Sequence, residues 1–384
     1  MLLKNATVHD GLGRAAVLDI LVEEGKIARV AQPGSLPGEA IDLTGKHILP
    51  GFVQPISAWG VNGTAFEIRP SSNDNDEHSD PITPELDGFY AFNGRAATAQ
   101  QLGAFGLITV GVAPSDNNLF GGTLAAFHVD GVNPYKLCLR RDVAMMASVT
   151  PSLKRVYGKN QKAPMTRMWI FTQLADQLRK ASEYKADAEK PVDAKLQALK
   201  RVVDGELPLF VATDSALAAR HVWEIVSRYP SLQLVLVNGF GLTGEEDYIL
   251  EHKIPVIFRT ASAVMDKAAM TLDLQAMLRF MERGVPVAFS GECSNYFGAR
   301  EDMLWNGLEL MRLTHDAEKV LPLLTSAPAE LLGLGDVTGS IREGLQADLV
   351  VWSGNPLESW EARVVTAYQA GEAIYREGDA LRCM

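Results

Sequence analysis

Apolar and polar residues alternate in short runs near both ends of the chain. This period of two is typical of half-buried β-strands. The runs cover residues 2–8, 19–30, 41–43 and 47–49 at the start, and 340–341, 347–353, 364–368 and 372–376 at the end. A few short strands at one end cannot bury a core alone. We therefore expect both ends to pair in one small β-sandwich domain.

The middle of the chain alternates apolar runs with stretches of helical period. The apolar runs predict buried strands at 51–56, 107–112, 143–149, 207–212, 232–237, 254–258 and 285–290. Helical periods lie between most of them, at 90–102, 166–188, 192–203, 216–227, 272–282 and 302–313. This alternation favours an α/β fold, a (β/α)8 TIM-like barrel over 52–337, with the composite β-sandwich built from 1–51 and 338–384. A doubly wound open sheet is the alternative, disfavoured because no GxGxxG motif follows the first strand.

Composition narrows the classes of partner. The chain has 384 residues, 47% of them apolar, and a net charge of −11. An acidic protein of this kind is not expected to bind nucleic acid or an anionic membrane. No apolar run is long enough to span a bilayer, and three widely spaced cysteines, Cys138, Cys293 and Cys383, imply no disulfide framework. We therefore expect a cytoplasmic protein, or a periplasmic one if an export signal has been removed.

Several segments resemble the amidohydrolase superfamily. They are DILVEEGKIARV from residue 19, IDLTGK from 41, LPGFV from 49, SAPAELLGL from 326 and GSIREGLQADLVVW from 339. DPITPELD from residue 80, the glycine pair at 121, KRVYG from 154 and KAPMTRM from 162 are similar to the imidazolonepropionase-like branch. The resemblance implies a barrel hydrolase that acts on non-peptide C–N bonds. It also implies one or two divalent metals at the C-terminal mouth of the barrel, which activate water.

The metal ligands that the resemblance implies are absent from the corresponding positions. Ile56 and Ala58 stand where a His-x-His should end the first strand, and neither side chain has a lone pair to give a metal. The other expected ligand positions, on later strands, read Pro151, Ala212, Asp214, Asn238 and Glu292. The chain has only seven histidines, and of these only His78 lies in the loop 63–84 after the first strand. We therefore predict no metal cofactor.

Three functional hypotheses follow. The first is a degenerate, non-catalytic amidohydrolase-like protein that acts as a structural or regulatory subunit, either with an active paralogue or as a homo-oligomer. The second is an active hydrolase with an altered site at Gln54, Asp214, Asn238 and Glu292. These oxygen-bearing side chains would hold Mg²⁺, Mn²⁺ or Zn²⁺ weakly, or Asp214 and Glu292 would act as a metal-free acid–base pair.

The third hypothesis is a small-molecule binding protein that uses the barrel mouth. Candidate cations for an acidic ligand are Lys154, Arg155, Arg167 and Arg259, and His78 is a further candidate ligand contact. The same side chains would also be explained as solvated or mutually hydrogen-bonded residues of the mouth, without any ligand.

Overall fold

The computed structural model describes residues 1–61, 74–96, 101–159, 161–186, 191–238, 241–244, 246–259, 267–291 and 300–379. For residue 238 and residues 267–272 the backbone alone is described.

Strands occur in the end segments and in the middle of the chain. In chain order they are β1 (Leu2–His9), β2 (Ala15–Glu23), β3 (Lys26–Ala31), β4 (Ile41–Asp42), β5 (His47–Pro50), β6 (Phe52–Ser57), β7 (Leu107–Val112), β8 (Phe120–His128), β9 (Cys138–Ser148), β10 (Leu209–Thr213), β11 (Leu234–Asn238), β12 (Val256–Arg259), β13 (Val287–Ser290), β14 (Leu349–Trp352), β15 (Val364–Gln369) and β16 (Glu372–Arg376).

Among the described residues, α-helices occur only between β8 and β14. They are α1 (Pro134–Leu137), α2 (Ser152–Gly158), α3 (Arg167–Glu183), α4 (Ala194–Val203), α5 (Ala216–Val226), α6 (Asp247–His252), α7 (Lys267–Glu282), α8 (Asp302–Thr314), α9 (Ala317–Val320) and α10 (Ser326–Leu331). Side chains of Thr166, Asp193 and Ser215 cap α3, α4 and α5 by accepting backbone N–H bonds in the first turn. Within the described residues, no helix is both long and apolar enough to cross a membrane.

The two ends of the chain form one hydrogen-bonded sheet, as the alternating pattern predicts. Its order is β16-β15-β14-β5-β1-β2-β3, with β4 paired to β1. The strand β14 runs antiparallel to β5 and places Trp352 opposite His47. One face of the sheet buries apolar side chains of both ends, among them Leu3, Ile48 and Val351.

A second eight-stranded sheet, in the order β13 to β6, makes the barrel and confirms the predicted α/β class. Every strand lies parallel to its neighbours except β8, which is antiparallel to both β7 and β9. Alternate residues point inward, such as Phe210 and Ala212, while Leu209 and Val211 pack against the surrounding helices. The ends of the sheet meet where the Ser290 hydroxyl donates to Ile56 O at 2.7 Å and accepts from Ile56 N at 3.3 Å.

The segment before β7 differs from the predicted helix over 90–102. Short 3-10 turns cover Gly88–Ala91 and Leu102–Phe105, and residues 92–96 are not helical, while residues 97–100 lie outside the described residues. The apolar residues here mimic a helical period, but the backbone passes very close to another loop. A Cβ at Gly94 would lie 2.4 Å from Gly131 O, so the chain has a glycine at this approach.

Candidate functional site

The rim at the C-terminal ends of the parallel barrel strands is where enzymes of this architecture build their sites. At the end of β6, Ile56 and Ala58 are 1% and 6% exposed. Ile56 belongs to the same apolar cluster inside the barrel as Ala212 of β10, which is fully buried. Three of the expected histidine positions, Ile56, Ala58 and Ala212, therefore carry buried apolar side chains.

Gln54 is a buried structural residue of β6. Its Oε1 accepts a hydrogen bond from Trp59 Nε1 at 2.8 Å, and its Nε2 donates to Ile56 O at 3.3 Å. The end of β13 packs against it, since a Cβ at Gly291 would lie 3.3 Å from Gln54 Nε2. Both polar atoms of this amide are thus used within the protein.

A largely buried ion pair joins Arg259 and Asp116 at the rim. Arg259 ends β12 beside Ser290, and Asp116 lies in the loop between β7 and β8. The guanidinium donates through both terminal nitrogens to the carboxylate, with Nη1 to Oδ1 at 3.1 Å. The two side chains are 15% and 21% exposed. This bidentate geometry is the strong form of a charge-assisted hydrogen bond.

Asp214 follows β10 and is paired with Arg167 at the start of α3. Arg167 Nη2 lies 2.6 Å from each oxygen of the carboxylate. The pair is more open to solvent, with side chains 39% and 27% exposed. Two of the four predicted ligand-binding cations, Arg167 and Arg259, are therefore neutralised by aspartates at the rim.

The loop after β6 holds a polar network around Asp76. This carboxylate accepts from Ser115 Oγ at 2.5 Å and Asn117 Nδ2 at 2.7 Å, and it lies 2.9 Å from His78 Nε2. His78 remains 42% exposed. Nearby, Tyr157 donates to Asn118 Oδ1 at 2.6 Å, and burial raises the pKa of its phenol. The loop is thus tied to the β7–β8 loop and α2.

Of the remaining residues singled out from the sequence, some are described by the structure and others are not. Lys154 and Arg155 lie on α2, where Arg155 is exposed and donates to Ser152 Oγ at 3.2 Å. Asn238 ends β11, in register with Thr213 and Phe258. Glu292 and Cys293 lie outside the described residues, so the acid–base pair of Asp214 and Glu292 stays a prediction.

All seven histidines of the chain lie among the described residues, and their surroundings account for each of them. His9 and His47 bond to each other between the neighbouring strands β1 and β5 of the small sheet, and His128, at the end of β8, bonds to Asp348. The ring of His221 contacts Phe171 edge-on, that of His252 lies tilted against Trp223, and His315 is the C-cap of α8. Only His78 is in a rim loop. Across the described residues, no three His, Cys, Asp or Glu side chains form a group that could hold a metal.

Asp116 is a rim residue that the sequence analysis did not single out. The available signal was the polar run Ser115–Asp116–Asn117–Asn118 directly after the buried β7 and Pro114. Parallel strands bring such runs to a common rim, but only the fold shows that Arg259, 143 residues away, is its partner.

Comparison with known proteins agrees with this architecture. The model of the Amidohydrolase family matches residues 195–375. The crystal structure of an amidohydrolase from Thermotoga maritima MSB8 superposes with a TM-score of 0.87 at 26% identity, covering 98% of this chain and all of that one.

Curated relatives match over smaller shares of their own length. The imidazolonepropionase of Thermoplasma acidophilum is 32% identical over 107 residues, which is 26% of each chain. The amidohydrolase tasK of Hapsidospora irregularis is 24% identical over 395 aligned residues, covering 88% of this chain and 38% of that one. Over these stretches, and in its fold, the chain is similar to amidohydrolases, an imidazolonepropionase among them.

Proposed function

We propose that this chain is a non-catalytic amidohydrolase-superfamily protein that serves as a structural or regulatory subunit. One observation carries the proposal: all seven histidines are placed, and none lies at the barrel-strand ends where the superfamily binds metal. Ile56 and Ala58 occupy the first of those ends and are buried in apolar packing. The lack of imidazole ligands for a zinc-like ion at these strand ends supports a non-catalytic role.

The described rim also does not fit a hard cation. Mg²⁺ and Mn²⁺ prefer several carboxylate or carbonyl oxygens. Here the carboxylates of Asp116 and Asp214 are each engaged by a guanidinium, which repels a second cation placed beside it. No hydrolytic step through a metal follows from these residues.

Metal analysis and an assay of C–N bond hydrolysis test the proposal together. Purified protein from metal-supplemented medium should contain substoichiometric zinc, manganese and iron, and should not hydrolyse cyclic amides, ureas or dipeptides. An active superfamily enzyme prepared in the same medium is the control for metal loading. One equivalent of tightly held divalent metal, or a turnover that Glu292→Gln abolishes, would show an active hydrolase with an altered site.

The subunit role is tested on the chain in its native cell. We expect it in the cytoplasm, associated with an active paralogue or with further copies of itself. Affinity purification followed by sedimentation of the recovered complex measures this directly. A monomer recovered without any partner would contradict the subunit role, although it would leave the absence of catalysis standing.

A further inference from the structure

A chain of hydrogen bonds links the small sheet to the barrel through Glu318, His9 and His47. His9 Nδ1 lies 2.5 Å from Glu318 Oε1, and His9 Nε2 lies 2.8 Å from His47 Nδ1. The parallel pairing of β1 with β5 places Thr7 opposite His47, so that His9, two residues further along, lies on the same face. Glu318 comes from α9, which packs on the barrel side.

The geometry limits how many protons the two imidazoles can hold. The Glu318 carboxylate only accepts, so His9 Nδ1 carries a proton. The 2.8 Å contact between His9 Nε2 and His47 Nδ1 needs one proton between the two nitrogens. The pair therefore stays intact when neutral, and also when a single extra proton sits on His47 Nε2. If both rings become imidazolium, two N–H donors face each other and the hydrogen bond is lost.

The surroundings oppose that second charge. His9 is 4% exposed, and the two rings stack with centroids 5.1 Å apart. Burial, and the neighbouring His9, lower the pKa of His47, while the carboxylate of Glu358 acts in the opposite direction. Asp10, next to His9, is used by the backbone N–H groups of Leu12 and Arg14.

The second oxygen of the Glu318 carboxylate can accept a further hydrogen bond. Its Oε2 is buried and has no hydrogen-bond partner among the described residues. A carboxylate with one unpaired buried oxygen holds the adjacent His9 proton strongly. This fixes the direction of both hydrogen bonds, from His47 to His9 and from His9 to Glu318.

We propose that Glu318, His9 and His47 form a pH-sensitive coupling between the small sheet and the barrel, which opens when both imidazoles are protonated. The strand β5 continues through Gly51 into β6, so release of His47 frees the start of the first barrel strand. The pKa of His47 is lowered in the folded chain, so the neutral, intact pair persists to a pH below the ordinary histidine value. One proton on His47 Nε2 leaves the hydrogen bond in place, and the coupling is lost only as the pH falls further and the second imidazole is protonated. This inference does not depend on whether the barrel is catalytic.

Hydrogen exchange of the full chain as a function of pH tests the coupling. After correction for intrinsic exchange, opening of peptides from β5 and α9 should rise about tenfold between about pH 7.5 and about pH 5, the range in which imidazoles take up protons. In His47→Asn, whose amide donates a hydrogen bond but does not titrate, the rise should be largely absent. The same substitution at the exposed His252 should leave it unchanged.

Two results would overturn the coupling. One is an equal pH dependence of exchange in the wild-type chain and in His47→Asn. The other comes from the wild-type chain alone, and so holds even if the variant does not fold. It is a nitrogen NMR titration that shows both rings as imidazolium at a pH where the exchange of the β5 and α9 peptides has not risen.

Discussion

At the scale of single residues, the buried charges of this protein hold segments together at junctions. Asp348 is the clearest case. It lies directly before β14 and accepts from His128 Nε2 at 3.1 Å, Thr338 Oγ1 at 2.7 Å and Ala370 N at 2.8 Å. Its three donors come from the end of β8, from the segment between α10 and β14, and from the turn after β15. One carboxylate thus fixes the barrel against the small sheet.

We predict that Asp348→Asn lowers the free energy of unfolding by about 3 kcal/mol, because an amide replaces a buried acceptor that faces three donors. Urea denaturation at neutral pH measures the loss. Asp204→Asn, which removes an exposed pairing with Lys200, is the matched control and should cost less than about 0.5 kcal/mol. Equal effects of the two substitutions would contradict the junction role.

The same carboxylate should shape the acid stability of the protein. Burial raises the pKa of Asp348, but the charge of His128 and the three hydrogen bonds outweigh it, and the pKa is lowered overall. Its contribution to stability is therefore complete above the ordinary aspartate value of about 4 and is lost as the pH falls through the folded value. Thermal unfolding as a function of pH should show a shallower acid limb in Asp348→Asn. An unchanged limb would count against this assignment.

A double-mutant cycle on Arg259 and Asp116 measures the charge pair of the rim. We expect a coupling energy of about 2 kcal/mol, because the pair is bidentate and largely buried. The cycle on Arg167 and Asp214, whose side chains are more exposed, should give less than about 1 kcal/mol. Denaturant unfolding of the single and double leucine variants provides both values, and a reversed order would contradict the structural account of the rim.

At the scale of elements, the barrel departs from uniform alternation at β8. This strand is buried along its whole length and antiparallel to both neighbours, so no helix is needed between β7 and β8. Gly122 has a φ of +112° and would carry its Cβ 2.5 Å from Leu86 O, so a glycine is required there. The loop 113–119 that replaces a crossover helix supplies Asp116 to the rim.

Closure of the barrel should depend on Ser290. Its hydroxyl donates to Ile56 O and accepts from Ile56 N. Ser290→Ala therefore removes this partner from a buried N–H and a buried C=O. We expect a loss of about 2 kcal/mol in unfolding free energy. Ser57→Ala, which removes one bond to Gly111 O beside an intact ladder, should cost about half as much. A Ser290 variant no less stable than the Ser57 variant would be inconsistent with this role.

At the scale of the whole molecule, the two chain ends are one structural unit. The strand β5 lies between β1 and β14, so neither end can complete the sheet alone. We predict that a chain ending at residue 340 will not give a folded monomer by circular dichroism and size exclusion, because the edge of β5 is left exposed. Coexpression of residues 338–379 as a separate chain should restore it. A folded truncated chain would contradict this interdependence.

The local pattern predicted most barrel strands and the helices α3, α4 and α5 close to their observed bounds. Strands buried on both faces give continuous apolar runs, and helices packed on one side give a clear period. β8 was not predicted, since its small residues and glycine pair fit neither pattern. The helix expected over 90–102 was wrong for the described residues 92–96, where Gly94 makes a close backbone contact with another loop.

The sequence by itself determined which side chains could bind a metal. Ile56 and Ala58 have no lone pair in any fold, and a chain with seven histidines can build an imidazole site only from those seven. Tertiary structure decided which charges meet. His9 and Glu318 are 309 residues apart, and Arg259 and Asp116 are 143 apart. Such contacts depend on how strands and loops come together in space, and a periodic pattern reports only a residue's nearest neighbours along the chain.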